Sequence, residues 1–273
     1  MFVSRAVISK FALIALCWHD GGMATSRTTA PAPTLRARRR AAATEEIKAL
    51  ARRQLAEHGP GGISLRAIAR DMGTAPSALY RYFPSQSDLI SALCADAYNS
   101  LATALVSARD ARPPGDHAGR WFAVCHAFRR WSLDHRADFT LIFGTPLPGY
   151  DAPQDATAAA AGRSVAVAVE AFTAAVQAGA ADTSPAQIPA GLQTAALWQA
   201  LLGDRAPGRD PALAAIVLSA WVSLLGFLIA EIFGSLTQLI TDTGLLYQAH
   251  VRAITLGMGY RPEDVQQAVG NGS

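Results

Sequence analysis

The stretch Ser64-Leu-Arg-Ala-Ile-Ala-Arg-Asp-Met-Gly73-Thr-Ala-Pro-Ser-Ala-Leu-Tyr-Arg-Tyr-Phe83 decides how this chain of 273 residues is read. Ser64 is placed to cap a short helix whose apolar face is Leu65, Ile68 and Ala69. Gly73 breaks that helix and permits a tight turn. Thr74 then caps a second helix, predicted over Ala75–Phe83, with Pro76 tolerated in its first turn. Packing Ile68 and Ala69 against Leu79 and Phe83 turns Thr74, Ala75, Ser77, Ala78 and Arg81 outward. Small residues at the front let such a helix approach base edges closely. The Arg81 fork matches the two acceptors of guanine, and an alanine methyl can meet a thymine methyl. Tyr80 and Tyr82 carry hydroxyls suited to phosphates, and Ser64 and Arg66 stand beside them on the first helix. Spacing alone fits two readings, a DNA-reading helix-turn-helix and an ordinary helical hairpin.

Working outward, the periodicity stays helical. Ile47, Leu50, Ala51 and Leu55 predict a helix over 41–57, which Gly59-Pro-Gly-Gly62 stops. Pro84 ends the reading helix. Ser85 and Asp88 form a capping box that opens a helix carrying Leu89, Ile90, Leu93, Ala97, Leu101 and Leu105. Further helical stretches are expected at about 116–134, 137–143, 155–181, 187–203, 211–239 and 242–257. No run alternates like a strand between hairpin turns. The chain is therefore read as all-α, with a helix-turn-helix domain at 41–93, a larger helical domain at 94–260 and a tail at 261–273. Residues 1–40 are expected to be a disordered leader. Within them, Met23 reads as the start of translation, and the arginines Arg36, Arg38, Arg39 and Arg40 read as a flexible basic arm that neutralises phosphates.

Charge is divided unevenly. Residues 27–93 hold 11 basic side chains against 5 acidic ones, whereas residues 94–273 hold 11 against 15. A basic N-terminal part suits a polyanion and the acidic remainder does not. The chain is 51% hydrophobic and 16% charged, which excludes a disordered protein. Its 3 cysteines form no CxxC pair, so neither a disulfide framework nor a structural zinc site is expected. No HExxH, Walker loop, GxSxG or carboxylate pair stands out in the sequence. No metal, cofactor or catalytic residue is expected.

At residues 41–93 the pattern becomes specific. The run Ser64-Leu-Arg-Ala-Ile-Ala69, Gly73, Leu79-Tyr-Arg-Tyr-Phe-Pro84 and Asp88-Leu89 resembles the N-terminal domain of TetR/AcrR-family transcriptional regulators. That resemblance implies an all-α homodimer with a DNA-reading N-terminal domain and a ligand-binding C-terminal domain. Where the family usually places a lysine at the start of the following helix, this chain has Gln86. Its amide can still bond a phosphate, and the helix N-terminus still attracts one. A second stretch, Arg130-Trp-Ser-Leu-Asp-His-Arg-Ala-Asp-Phe-Thr-Leu-Ile-Phe-Gly144, with Pro146–Tyr150, Trp221–Gly226 and Glu231–Gly234, looks like the effector domain of the WHG-type subgroup. Leu225 stands where that subgroup has histidine.

The larger domain supplies the remaining candidates. Trp121, Cys125, Phe128, Phe143, Phe172 and Trp198 are candidates to line a pocket for a small apolar effector, or they are simply core at helical spacing. Residues 211–230 carry no charge. That run is long enough for a membrane span, but it also suits a helix buried between two subunits. Asp210-Pro211 at its start and Glu231 at its end favour the dimer seam, with Leu197, Leu201, Trp221, Leu225, Phe227 and Leu228 as candidates. The sequence is thus read as a cytoplasmic, homodimeric, ligand-responsive repressor of a double-stranded DNA operator, with no membrane partner. An activator of the same fold and a membrane-associated helical protein are the alternatives.

Overall fold

The computed structural model describes residues 34–144, 154–184, 186, 188, 192 and 211–270. The regular elements among them are helical apart from an isolated bridge between Ala181 and Tyr260. In chain order they are α1 (Leu35–His58), a 3-10 turn (Pro60–Gly62), α2 (Leu65–Asp71), α3 (Pro76–Leu79), α4 (Gln86–Asp110) and α5 (His117–Asp134). There follow α6 (Arg136–Phe143), α7 (Gln154–Gln177), α8 (Pro211–Ile232), α9 (Thr243–Gly257) and α10 (Pro262–Gly270).

Helices α1 to α3 and the first turns of α4 close a small core around Ile47, Leu55, Ile68, Leu79, Phe83 and Leu89. Two local bonds hold its corners. The Ser64 hydroxyl accepts from the Ala67 amide at 3.4 Å, and the Ser64 amide donates to the Gln54 side chain at 2.9 Å. Farther along α4, Leu101 and Leu105 join Trp121, Phe128 and Phe172 in the core of the larger domain. Helix α4 is therefore shared by both halves.

The basic arm expected at Arg36–Arg40 is instead the first turns of α1. Thr34 caps it, accepting from the Ala37 amide at 3.2 Å. The run that follows is rich in Ala and Arg, both good helix formers, and its backbone continues the helix without a break. The tail expected at 261–273 also contains structure. Pro262 starts α10, Glu263 and Asp264 fill its first turn, and Val265 and Ala268 bury against α5. Gly259 makes the turn into it with φ +92, and a Cβ there would fall 1.9 Å from the Asp182 carbonyl oxygen. Helix α8 ends at Ile232, short of the expected 239, and passes into turns. The helix expected at 187–203 lies outside the described residues, and with it Leu197, Trp198 and Leu201.

A buried ion pair fastens α5 to α8 and α9. Arg129 presents Nε and Nη2 to the two oxygens of Glu231 at 2.9 and 2.6 Å, with its guanidinium 5.5 Å from the centre of the Tyr247 ring. The Tyr247 hydroxyl in turn donates to the Cys125 carbonyl at 2.7 Å. Burial by itself would raise the Glu231 carboxyl, but the Arg129 fork overrides it and holds the carboxyl below its ordinary range.

Replacing Arg129 with Met should leave that carboxylate buried without its cation and cost about 3 kcal/mol, read by thermal or urea unfolding. The depressed pKa also fixes a sign. The stabilisation from Glu231 is fully present above the ordinary carboxylate value near 4.5 and is lost as pH falls through the lower folded value. Stability followed from pH 6 downward should therefore fall less steeply in Glu231→Gln than in the native chain.

Candidate nucleic-acid interface

The quoted stretch folds into two helices around a tight turn, and the second is shorter than its sequence suggests. Gly73 adopts φ +62, and the Thr74 amide donates to the Ala69 carbonyl at 2.9 Å to close the turn. Helix α3 then spans only Pro76–Leu79. Its N-cap position is Ala75, with no side-chain cap, so Thr74 does not cap it. After Leu79 the chain tightens. The Tyr82 amide bonds the Leu79 carbonyl at 2.8 Å and the Arg81 amide bonds the Ala78 carbonyl at 3.4 Å, both three residues apart. Tyr80, Arg81 and Tyr82 therefore lie on a turn and not on the helix expected through Phe83. Pro84 follows at once and disfavours the helical region for Phe83, while Leu79 and Phe83, spaced i, i+4, both stay buried.

Of the residues expected outward, Ala78 departs from the spacing. Thr74, Ala75, Ser77, Tyr80 and Arg81 are exposed, Ala78 and Tyr82 are half-buried, and Leu79 is buried beneath them. On α2, Arg66 is exposed, whereas the Ser64 hydroxyl is already engaged as a cap. Gln86 is exposed at the first position of α4. Beside it, the Ser85 hydroxyl accepts from the Asp88 amide at 3.1 Å and donates to the Asp88 carboxylate at 2.7 Å. This leaves the start of α4 facing solvent with its amides aligned, a setting that favours an anion.

Sequence reasoning missed what holds this unit. Lys48 and Arg52, one turn apart on α1, both reach Asp96 of α4 at 2.8 Å, and Arg52 also lies 3.9 Å from Asp138 of α6. Burial pushes the Asp138 carboxyl up, against the pull of Arg52. A Lys-Arg pair spaced i, i+4 signals a shared face, but nothing in the sequence names its partner 44 residues onward. Arg40 also departs from its expected role: Nη2 donates to the Arg81 carbonyl at 3.1 Å, and the guanidinium lies 5.3 Å from the Tyr82 ring centre. Arg36 and Arg39 are exposed on the same helix, and Arg38 is exposed as well.

The pocket candidates fall into one core. Trp121, Cys125, Phe128 and Phe172 are fully buried and Phe143 is half-buried. Burial pushes the Cys125 thiol far up, so it packs as a thiol and is no reactive thiolate. The seam candidates Trp221, Leu225 and Leu228 require a correction, because all three face the chain's own core. Trp221 stacks on Phe128 at 4.7 Å. Phe227 is half-buried against Tyr247 and His250. The free side of α8 is one position over. Leu218 and Val222 are 42% and 52% exposed, with Ser219 and Gly226 on the same stripe. A helix apolar all round does not announce which face is spare.

Comparison with known proteins agrees with this geometry. Residues 47–93 match the family described as bacterial regulatory proteins, tetR family, and residues 121–254 match the tetracyclin repressor-like C-terminal domain. HTH-type transcriptional regulators of Mycobacterium tuberculosis and Mycobacterium bovis are 34% identical over 230 residues, covering 81% of this chain and 96% of theirs. The crystal structure of regulatory protein SCO4313 is 36% identical, with a TM-score of 0.65 over 81% of this chain and 98% of that one. A Rhodococcus protein of unknown function, 23% identical, shares the fold with a TM-score of 0.60 over 79% and 95%.

Two substitutions should separate base reading from backbone contact. Arg81→Ala should relax the preference at one base pair per half-site, by about 1–3 kcal/mol. Arg36→Ala should weaken binding to every duplex and flatten the salt dependence, leaving the preferred sequence unchanged. Binding-site selection from a random pool, with affinities measured at several salt concentrations, checks both.

Proposed function

The chain belongs to the TetR family of bacterial transcriptional regulators, and from that premise we propose that it is a homodimeric, ligand-responsive repressor acting in the cytoplasm. It is a DNA-binding regulator with a helix-turn-helix domain and not an enzyme. The observation that carries the dimer is the exposed stripe Leu218–Ser219–Val222–Gly226 on α8, a helix otherwise packed into its own core. Helices α4, α7 and α8 are each long and apolar enough to cross a membrane by length and composition. All three bury a large share of their surface inside the chain, which favours a protein partner for what α8 leaves exposed.

In this reading each subunit places Ala75–Phe83 in a major groove, with Thr74, Ser77, Ala78 and Arg81 toward the bases. Tyr80, Tyr82, Arg66, Gln86 and, at the start of α1, Arg36, Arg38 and Arg39 lie along the phosphates. The dimer sets the distance between the two reading segments. A ligand in the larger domain favours a spacing that no longer fits successive grooves. To empty the operator it must bind the released form more tightly by a few kcal/mol.

The effector is placed among Trp121, Phe128, Phe143 and Phe172. Within that core Trp121 Nε1, Thr173 Oγ1 and the Tyr260 hydroxyl are buried without a hydrogen-bond partner among the described residues. Each such group costs about 1–3 kcal/mol unless something meets it. A small, largely apolar molecule carrying a hydrogen-bond acceptor would do so. The route from there to the DNA runs through α6, whose Asp138 faces Arg52 of α1.

Light scattering of the native chain should give twice the 28.7 kDa monomer mass. Val222→Glu, which sets two like charges against each other on the shared face, should give the monomer and at least a hundredfold weaker operator binding, because the second half-site contact is lost. Deleting the gene should raise transcription from the sequences that the protein retains out of sheared genomic DNA. A fall would make it an activator.

A further inference from the structure

We propose that Arg40 is a positioning residue for sequence reading: it caps the end of the reading segment and fixes the direction of Arg81, and it does not bind phosphate. This rests on the DNA-reading role of the helix-turn-helix. Helix α3 is a single turn and ends without a glycine, its C-cap Tyr80 staying at φ −61 and ψ −16. A helix end leaves its last carbonyls without intrahelical partners. The Ala78 and Leu79 carbonyls are taken by the amides of Arg81 and Tyr82, and that of Leu79 also by Phe83. The Arg81 carbonyl is met from outside, by Arg40 Nη2 at 3.1 Å, from a helix 41 residues earlier in the chain.

The same guanidinium lies over the Tyr82 ring at 5.3 Å from its centre. One side chain thus grips Arg81 by its backbone and Tyr82 by its ring. Only a planar guanidinium does both at once; an ammonium can bond the carbonyl or sit over the ring, without the fixed fork. Residues 80–82 lie on a turn held by i, i+3 bonds, the longest of them the Arg81 amide's own at 3.4 Å, so the grip on the Arg81 carbonyl helps set where the exposed Arg81 side chain leaves the surface. A bidentate contact with guanine tolerates little misalignment, so a loose Arg81 backbone loses discrimination before it loses charge.

The test is binding-site selection from random duplexes with the full chain, together with affinity measured as a function of salt, for native, Arg40→Ala and Arg40→Lys proteins. The native chain must first select a recurring sequence; if it selects none, the DNA-reading function itself fails and Arg40 is not the reason. Given a native site, Arg40→Ala should lower discrimination about tenfold at the base pair that Arg81→Ala also relaxes, with the salt slope unchanged. Arg40→Lys keeps the charge and the helix propensity and should show the same broadened preference. It decides the matter should Arg40→Ala fail to fold by circular dichroism. A native preference in Arg40→Lys, or a flattened salt slope in Arg40→Ala, overturns the proposal.

Discussion

Helix α4 is the member on which both halves are built. Its first turns seal the DNA-reading core with Leu89, Ile90 and Leu93, and its later turns carry Leu101 and Leu105 into the larger domain. A rigid rod that belongs to two cores cannot move in one without disturbing the other. Between the two, Asp96 accepts from Lys48 and Arg52 at 2.8 Å and pins α1 to the middle of the rod. The reading helix has only one turn and could not stand alone. Its position is inherited from α1, α2 and α4, and everything the protein does at DNA depends on that inheritance.

The same logic separates the residues that stand outward from those that hold the scaffold beneath them. Ser77 and Arg81 stand outward from a short scaffold, while Gln54, Ser64 and Ser85 spend polar atoms on neighbouring backbone and the Asp88 carboxylate accepts from the Ser85 hydroxyl. In the larger domain the polar work is concentrated on few groups. The Arg129–Glu231 fork and the bond from Tyr247 to the Cys125 carbonyl tie three helices together, and aromatic packing fills the rest. Against this background Trp121 and Tyr260 stand out, their polar atoms unmet among the described residues.

Much of this was legible in the sequence. The helix-turn-helix, the all-α class and the outward set at Thr74, Ser77 and Arg81 followed from periodicity and from Gly73 and Pro84, because those signals are local. Tertiary demands were not legible. That α3 stops at Leu79 shows only in the folded backbone, where the Arg81 and Tyr82 amides bond three residues back. That Arg36–Arg40 is helical depends on a cap at Thr34 that composition hid among Thr, Ala and Pro. Val265 and Ala268 at the end of the chain offered too short a pattern to distinguish a docked helix from a loose end. On α8 the uniform apolarity gave no angle, so Trp221 was assigned outward although its ring is stacked on Phe128.

The one-turn reading helix also bears on how such a protein acquires a new target. Ser77 and Arg81 are exposed and lie outside the core that holds Leu79 and Phe83. Exchanging them disturbs little of the folding free energy, since surface positions away from caps and packing tolerate substitution. The scaffold can therefore stay constant while its specificity drifts. A duplicated copy needs only a few changes on this small platform to become regulator of a different promoter, with its larger helical domain carried along intact.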